Sequence, residues 1–348
     1  MMSGVRRSDQ LQQVSEDAAS FADWRSVLAR LAMDLRRPMP LPETERIEAV
    51  VKECLRAVLR RQLSNDDARF LAEWQRDLGF LLKYKSYGVK CATPFGYSVF
   101  LQNPGEGFSF QRHLTHKTEV FHILEPLDRA VVFLCNSEEW EAVFDSERFQ
   151  RWLAGTADDD FDCFATRPQP GDVYHVNELG MIHSVLGCVL EEFATVSTDM
   201  VDRLHDQNAG RPAPHPSREV VVNRLRGLAA CAPRIAPTDA EDVGAVVHDG
   251  DVQIYRLATG AMDATRLHMS HARVELRAHP TRVQVLFAVT GSASCVIRSS
   301  NESDVTPPPI EIRGGDPLMI APGFDVIITA PQMVVISIQA IEPDVALV

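Results

Sequence analysis

From Tyr84 onward the chain consists of short β-rich runs cut by Gly, Pro and Asp, and one turn-and-strand pattern occurs twice. The first group of runs is YSVFLQ, VFHIL, AVVFLC, DVYHV, MIHSVLG and VLEEFATVS. The second is VQIYRLA, RVELRA, RVQVLFAVTGSASCVIR, DPLMIAP, DVIITAP and MVVISIQAI. Strands this short, separated by turns, predict a sandwich or a barrel. The recurring pattern is PGDVYHVNELG in the first group and GGDPLMIAPG in the second. A distant internal repeat of this kind predicts a duplicated barrel.

The first eighty residues read differently. Phe21, Trp24, Val27, Leu28, Leu31 and Leu35 form one helical stripe, with Ser20 and Asp23 at capping-box spacing. Pro38, Pro40 and Pro42 end it. Ile47, Val50, Val51, Cys54, Leu55, Val58 and Leu59 recur at the spacing of a single apolar helix face. Ser64 and Asp67 repeat the capping signal ahead of Phe70, Leu71, Trp74 and Leu78. These helices are expected to pack on each other or to cover one side of the following sheet. Trp140–Leu153 is apolar on one helical face, and the acidic run Asp158–Asp162 reads as a solvated loop. The expected units are a helical region at 1–84, a first barrel at 85–210, a linker at 211–232 and a second barrel at 233–348.

With 348 residues the chain can hold two cores. Its formal charge of −13 gives no attraction for a phosphate backbone, so nucleic acid is not an expected partner. The seven cysteines are widely spaced and form no CxxC pair, which excludes zinc-ribbon and thioredoxin-like chemistry and predicts a reduced, cytoplasmic protein. No apolar run of 18 residues occurs, so no membrane partner is expected.

Chemistry concentrates in Gln111–Glu119, QRHLTHKTE, and in a histidine reached through a glycine turn, His183. Alternation places Gln111 and His113 on one strand face. Glu119 can return to that face from the next strand, and His183 from a later one. Amide oxygen, two imidazoles and a carboxylate form a mixed donor set that Zn²⁺, Fe²⁺, Mn²⁺, Co²⁺ and Ni²⁺ all accept, with positions left open for water or substrate. His116 is the alternative to Gln111 as a ligand. His122 and His175 read as barrel-wall or rim residues.

These residues resemble the cupin superfamily. Its first motif carries two histidines and a glutamate, and its second a Gly-Asp followed by a histidine. The closer resemblance is to the type I phosphomannose isomerases, which take zinc ligands from a Gln-x-His, from the glutamate of a His-Lys-Pro-Glu and from a histidine of the second motif. The matching residues here are Gln111, His113, Glu119 within HKTE, and His183, with the family's lysine falling on Lys117. STDMVDRLHD, Ser197–Asp206, similarly places Arg203 on the family's active-site arginine. In the second repeat Val326 stands where His183 does, so the resemblance implies a second barrel without metal ligands that serves packing and dimer support.

The resemblance implies a mainly β fold of two cupin jelly-roll barrels behind a helical region. It also implies one divalent ion, Zn²⁺ first and Fe²⁺ second, and a small polar metabolite, phosphorylated or not. The implied reaction is aldose–ketose isomerisation through a metal-stabilised enediolate, with Lys117 and Arg203 meeting a phosphate or sugar hydroxyl. Glu191, Glu192, His116 and His175 are the expected proton carriers, and of the adjacent glutamates only one can face inward. The rival classes are a mononuclear Fe(II) dioxygenase, which a ligating His116 would favour, and a non-enzymatic sugar-binding or regulatory cupin.

Overall fold

The computed structural model describes residues 23–35, 47, 50–51, 54–78, 83–84, 88–90, 96–115, 117–154, 165–195, 201–206, 218–300 and 307–340. The chain is mainly β, with two antiparallel sheets behind an N-terminal helical region. Helices α1 (Trp24–Leu35) and α2 (Asn65–Leu78) flank a helical stretch that includes residues 54–59. Asp23 accepts from the Ser26 N–H at the start of α1, while Ser20 lies outside the described residues. Ser64 caps α2 reciprocally with Asp67, as the spacing predicts: Asp67 N–H donates to Ser64 Oγ at 3.2 Å, and Ser64 N–H to Asp67 Oδ2 at 3.1 Å.

The first sheet comprises β1 (Lys83–Tyr84), β2 (Gly88–Lys90), β3 (Gly96–Leu101), β4 (Phe110–His113), β5 (Glu119–Cys135), β6 (Ala165–Thr166), β7 (Val173–Val176), β8 (Ile182–Ala194) and β9 (Val201–His205). The expected single helix at Trp140–Leu153 is two: α3 (Ser137–Phe144) and α4 (Glu147–Leu153). The chain breaks between them because Ser146 caps α4, its Oγ accepting from Phe149 N–H at 3.2 Å. The acidic run 158–162 lies outside the described residues. Residues 211–232, expected as a linker, contain α5 (Arg218–Leu228), which buries Val221 and Leu225.

The second sheet comprises β10 (Ala245–Ala258), β11 (Met262–Leu276), β12 (Gln284–Ser299), β13 (Ile310–Arg313), β14 (Pro317–Ile320) and β15 (Phe324–Ala340). Its pairing repeats that of the first. β5 pairs with β6, β7 and β8, and β12 pairs with β13, β14 and β15.

Strand β8 is buried at every position and pairs with β3, β4 and β5. Glu119 pairs with Ala194 at one end of β8, and Gln111 with His183 at the other. A straight strand would hold His183 and Ala194 roughly 36 Å apart. Instead the Glu119 carboxylate lies 3.1 Å from His183 Nε2, so the β5–β8 ladder coils until its two ends meet. The coil has a visible corner. The β5–β8 register shifts between Pro126 and Val131, opposite Gly187, whose φ of +66° suits a residue without Cβ. Gly187 also resets the alternation of β8. Val185 before it and Cys188 and Leu190 after it all face the first barrel's interior.

The other faces of β3, β5 and β8 do not meet solvent. Val99, Val120, Leu124, Val189 and Phe193 share one core with Val285, Phe287 and Val289 of β12 and with helix residues Leu28, Leu55 and Leu71. The Tyr97 and Phe287 rings meet across the two units, tilted at 37° with centroids 4.3 Å apart. Helix α2 adds Ala68 and Ala72 to the interior core of the second unit. The helices therefore cover the second unit as well as the sheet that follows them. Within this shared core Arg266 of β11 is fully buried, and its Nη1 donates to Glu191 Oε2 of β8 at 2.8 Å. Glu191 also accepts from Tyr97 Oη at 2.9 Å and contacts His122 Nδ1 at 2.8 Å. Among the described residues no helix is long and apolar enough to cross a membrane.

Burial alone would raise the Glu191 carboxyl, but Arg266, His122 and Tyr97 overcome that and hold it at about 2. Its folded-state value lies below the ordinary 4.5, so its contribution to stability is complete above pH 4.5 and disappears as pH falls toward about 2. Glu191→Gln should therefore lower the urea midpoint at pH 7 and flatten the acid dependence over that window. Arg266→Ala leaves a buried carboxylate unpaired and should cost about 3–5 kcal/mol in the same measurement, with part of the loss recovered in the Arg266→Met/Glu191→Gln double variant.

Candidate metal centre

Three side chains converge where the coiled ladder closes. His113 ends β4, Glu119 starts β5 and His183 lies one residue into β8, and all three are buried. One ligand atom from each lies within 4.8 Å of the others. Glu119 Oε2 is 3.3 Å from His113 Nε2 and 3.1 Å from His183 Nε2, and the two rings stack at 5.0 Å. Neither close approach is well aligned as a hydrogen bond to this buried carboxylate oxygen. His183 Nδ1 contacts the Met181 carbonyl at 3.2 Å. With Nδ1 turned to that carbonyl, Nε2 is the ring nitrogen that faces the cluster, the orientation a metal-binding imidazole needs.

Burial opposes charge on Glu119, yet the Lys117 ammonium, followed by His113 and His183, holds its carboxyl well below the usual carboxylate range. Lys117 Nζ sits 2.7 Å from Glu119 Oε1 and is itself nearly buried. One carboxylate oxygen is thus neutralised by lysine, and the other faces two imidazoles.

Of the four ligands expected from sequence, Gln111 stands apart. Its Nε2 lies 3.3 Å from His183 Nε2, while its Oε1 accepts from Ser109 Oγ at 2.9 Å. Rotating the amide by half a turn exchanges the two atoms and presents the oxygen to the cluster. His116 lies outside the described residues. Arg203 is an exposed residue of β9 in direct register with Gln111, which puts it at the rim on the same sheet face.

Glu191 is corrected. It shares the parity of Val189 and Phe193, which face the core between the units, and its oxygens are taken by Tyr97, His122 and Arg266. Glu192 is the inward member of the pair. It is buried, stands opposite Phe121 in register, and falls in the alternation of Cys188 and Leu190. The sequence allows one inward glutamate, but only the corner at Gly187 decides which. His122 and His175 face away from the cluster as well. His122 contacts Glu191, and His175 hydrogen-bonds the Leu257 backbone of the second unit. Among the described residues the cluster offers oxygen and nitrogen donors and no thiol.

No family model matches the chain, and no curated protein matches it. Solved structures do resemble it. A mannose 6-phosphate isomerase from Bacillus subtilis is 15% identical over 70% of this chain and 75% of that chain, with a TM-score of 0.42. An oxalate decarboxylase from Bacillus subtilis is 12% identical over 70% and 67%, with a TM-score of 0.41. An 11S globulin from Wrightia tinctoria, described with an auxin binding site, is 11% identical over 73% and 79%, with a TM-score of 0.43.

Replacing Lys117 by Met removes the ammonium from Glu119 but leaves both imidazoles beside it. Chelator-treated Lys117→Met protein should be less stable than chelator-treated wild type by about 1–3 kcal/mol at pH 7, measured by urea unfolding.

Proposed function

We propose that the chain is a metal-dependent cupin enzyme acting on a small polar metabolite, with aldose–ketose isomerisation of a sugar or sugar phosphate as its reaction. The observation that carries this reading is the buried Glu119 oxygen facing two imidazole nitrogens at 3.1 and 3.3 Å without a directed hydrogen bond. Two neutral nitrogens and one anionic oxygen fit a divalent ion, and Gln111 supplies a fourth donor after an amide flip. His113, Glu119 and His183 would hold the ion, with Zn²⁺ the first choice for this N/O set. Bound there, the ion would supply positive charge to stabilise adjacent substrate oxygens as a proton moves between their carbons.

The chain's own residues account for the other tasks. Glu192, buried opposite Phe121 on the inward face of β8, is the carboxylate to which we assign the proton transfer. Arg203 at the rim offers a guanidinium fork to a phosphate or carboxylate. Lys117 holds Glu119 ionised and in place, which orients the ligand set rather than the substrate. Leu114 and Leu179 are exposed on the loops preceding β5 and β8 and give the mouth an apolar edge.

A second reading rests on the same trio. Two histidines and one carboxylate with open positions are also the donor set of mononuclear Fe(II) oxygenases.

Metal analysis of the purified protein distinguishes the two. The isomerase reading expects about one equivalent of Zn²⁺ and interconversion of an aldose and a ketose, lost on chelation and restored by Zn²⁺. Iron content with stoichiometric oxygen uptake over a metabolite panel would replace it with the oxygenase. His113→Ala and His183→Ala should each abolish stoichiometric metal binding, and a full equivalent retained in both would overturn the site. Glu192→Gln should retain the metal and lower kcat by about 10²–10⁴.

A further inference from the structure

The second unit carries a site of opposite charge at the place where the first unit gathers its imidazoles. Gln284 opens β12 opposite Ile320, the last residue of β14, as Glu119 opens β5 opposite Val176, the last residue of β7. Leu276 pairs with Val326 as Gln111 pairs with His183. Two residues beyond Leu276, Ala278 takes the place of His113. All four donors are therefore replaced: Gln111 by Leu276, His113 by Ala278, Glu119 by Gln284 and His183 by Val326. Among these four positions only the neutral Gln284 amide keeps a donor atom, and no imidazole or carboxylate remains.

A cavity of about 440 Å³ lies at this corner. Thr265 and Leu276 belong to its wall, as do Arg256, Arg277, Arg282 and Asp263. Asp263 pairs with Gln339, which pairs in turn with Gln284, so the cavity reaches the strand row that holds the counterpart of Glu119. Its charge is unlike that of the chain as a whole. Three arginines face two acidic residues, Asp242 and Asp263, in a protein of formal charge −13. Asp263 is engaged by Arg282 at 2.8 Å. Arg256 donates to the Asp242 backbone carbonyl through one nitrogen, which leaves donors of its fork for another acceptor. Arg277 is fixed by its backbone N–H on the Gly244 carbonyl at 2.9 Å. Among the described residues no carboxylate pairs with its guanidinium.

We propose that this cavity binds a small metabolite through an oxyanion group, a phosphomonoester or a carboxylate, with Arg256 and Arg277 as the anion holders. The duplication has exchanged a cation-binding donor set for arginine forks, whose planar donors match such oxygens in pairs. The second unit is thereby a ligand-binding module in its own right, and this assignment stands independently of the metal reading of the first unit.

Calorimetric titration of the full chain at low salt with inorganic phosphate, glycerol phosphate and succinate tests it. The expected result is one saturable site per chain. Arg277→Ala should weaken it at least tenfold, while Arg277→Lys should retain part of the affinity. Arg277 is exposed, so an unchanged thermal midpoint should accompany the loss, and Arg256→Gln provides a second variant in the cavity lining. His183→Ala should bind the anion as the wild type does. Tighter binding of glycerol phosphate than succinate assigns a phosphomonoester, and the reverse a carboxylate. Absence of saturable binding for all three probes, full affinity in both arginine variants, or loss of binding in His183→Ala would overturn the proposal.

Discussion

The candidate centre depends on the coil of one ladder. Glu119 and His183 belong to opposite ends of the β5–β8 pairing, and they touch because that pairing wraps around the barrel. The wrap depends on the corner at Gly187, where a positive φ and a register shift turn the strand. The same corner reverses the alternation of β8, which sends Glu192 inward and Glu191 outward. A backbone feature at one residue thus sets the directions of two glutamates and helps bring His113, Glu119 and His183 together.

Outward-facing Glu191 acquires a different task. Its carboxylate meets Arg266, His122 and Tyr97 in the shared core, where the ionic contact joins β8 of the first unit to β11 of the second. Desolvating two charges is expensive, and apolar residues of the same shape could pack there with equal or better stability. The pair does join the two units, since Arg266 of β11 donates to Glu191 of β8. Arg266 also lies 3.1 Å from His268 Nε2, and burial together with Arg266 pulls that imidazole down to about 4. His268 therefore stays neutral at neutral pH beside the fixed cation. The N-terminal helices complete this core through Leu28, Leu55 and Leu71, and Ala68 and Ala72 reach the core of the second unit.

The two units share a ladder plan and diverge in charge. In the first, Lys117 and two imidazoles surround a carboxylate that remains ionised. In the second, the neutral Gln284 stands in the place of that carboxylate, and arginines gather at the cavity lined by Leu276 and Ala278. Backbone pairing tolerates this exchange because the ladder bonds do not depend on which side chains line the interior. The side chains at these positions can therefore differ in charge while the scaffold persists.

Local signals in the chain determine much of this protein. Ser64 and Asp67 announce the start of α2, the paired glycine turns at Gly171 and Gly315 announce two units, and the apolar runs locate the strands. QRHLTHKTE together with His183 names the residues that meet at the first corner. These features are legible because they depend on spacing within a few residues. The tertiary structure alone decided what depends on distant chain segments. It split the 140–153 segment at Ser146, turned Glu191 toward an arginine 75 residues away, and set the Gln111 amide against Ser109. It also gathered Arg256, Arg277 and Arg282 from separate segments into one cavity. The direction of a side chain on a long strand is fixed by every bulge before it, and a strand's own periodicity does not reveal where the coil will turn.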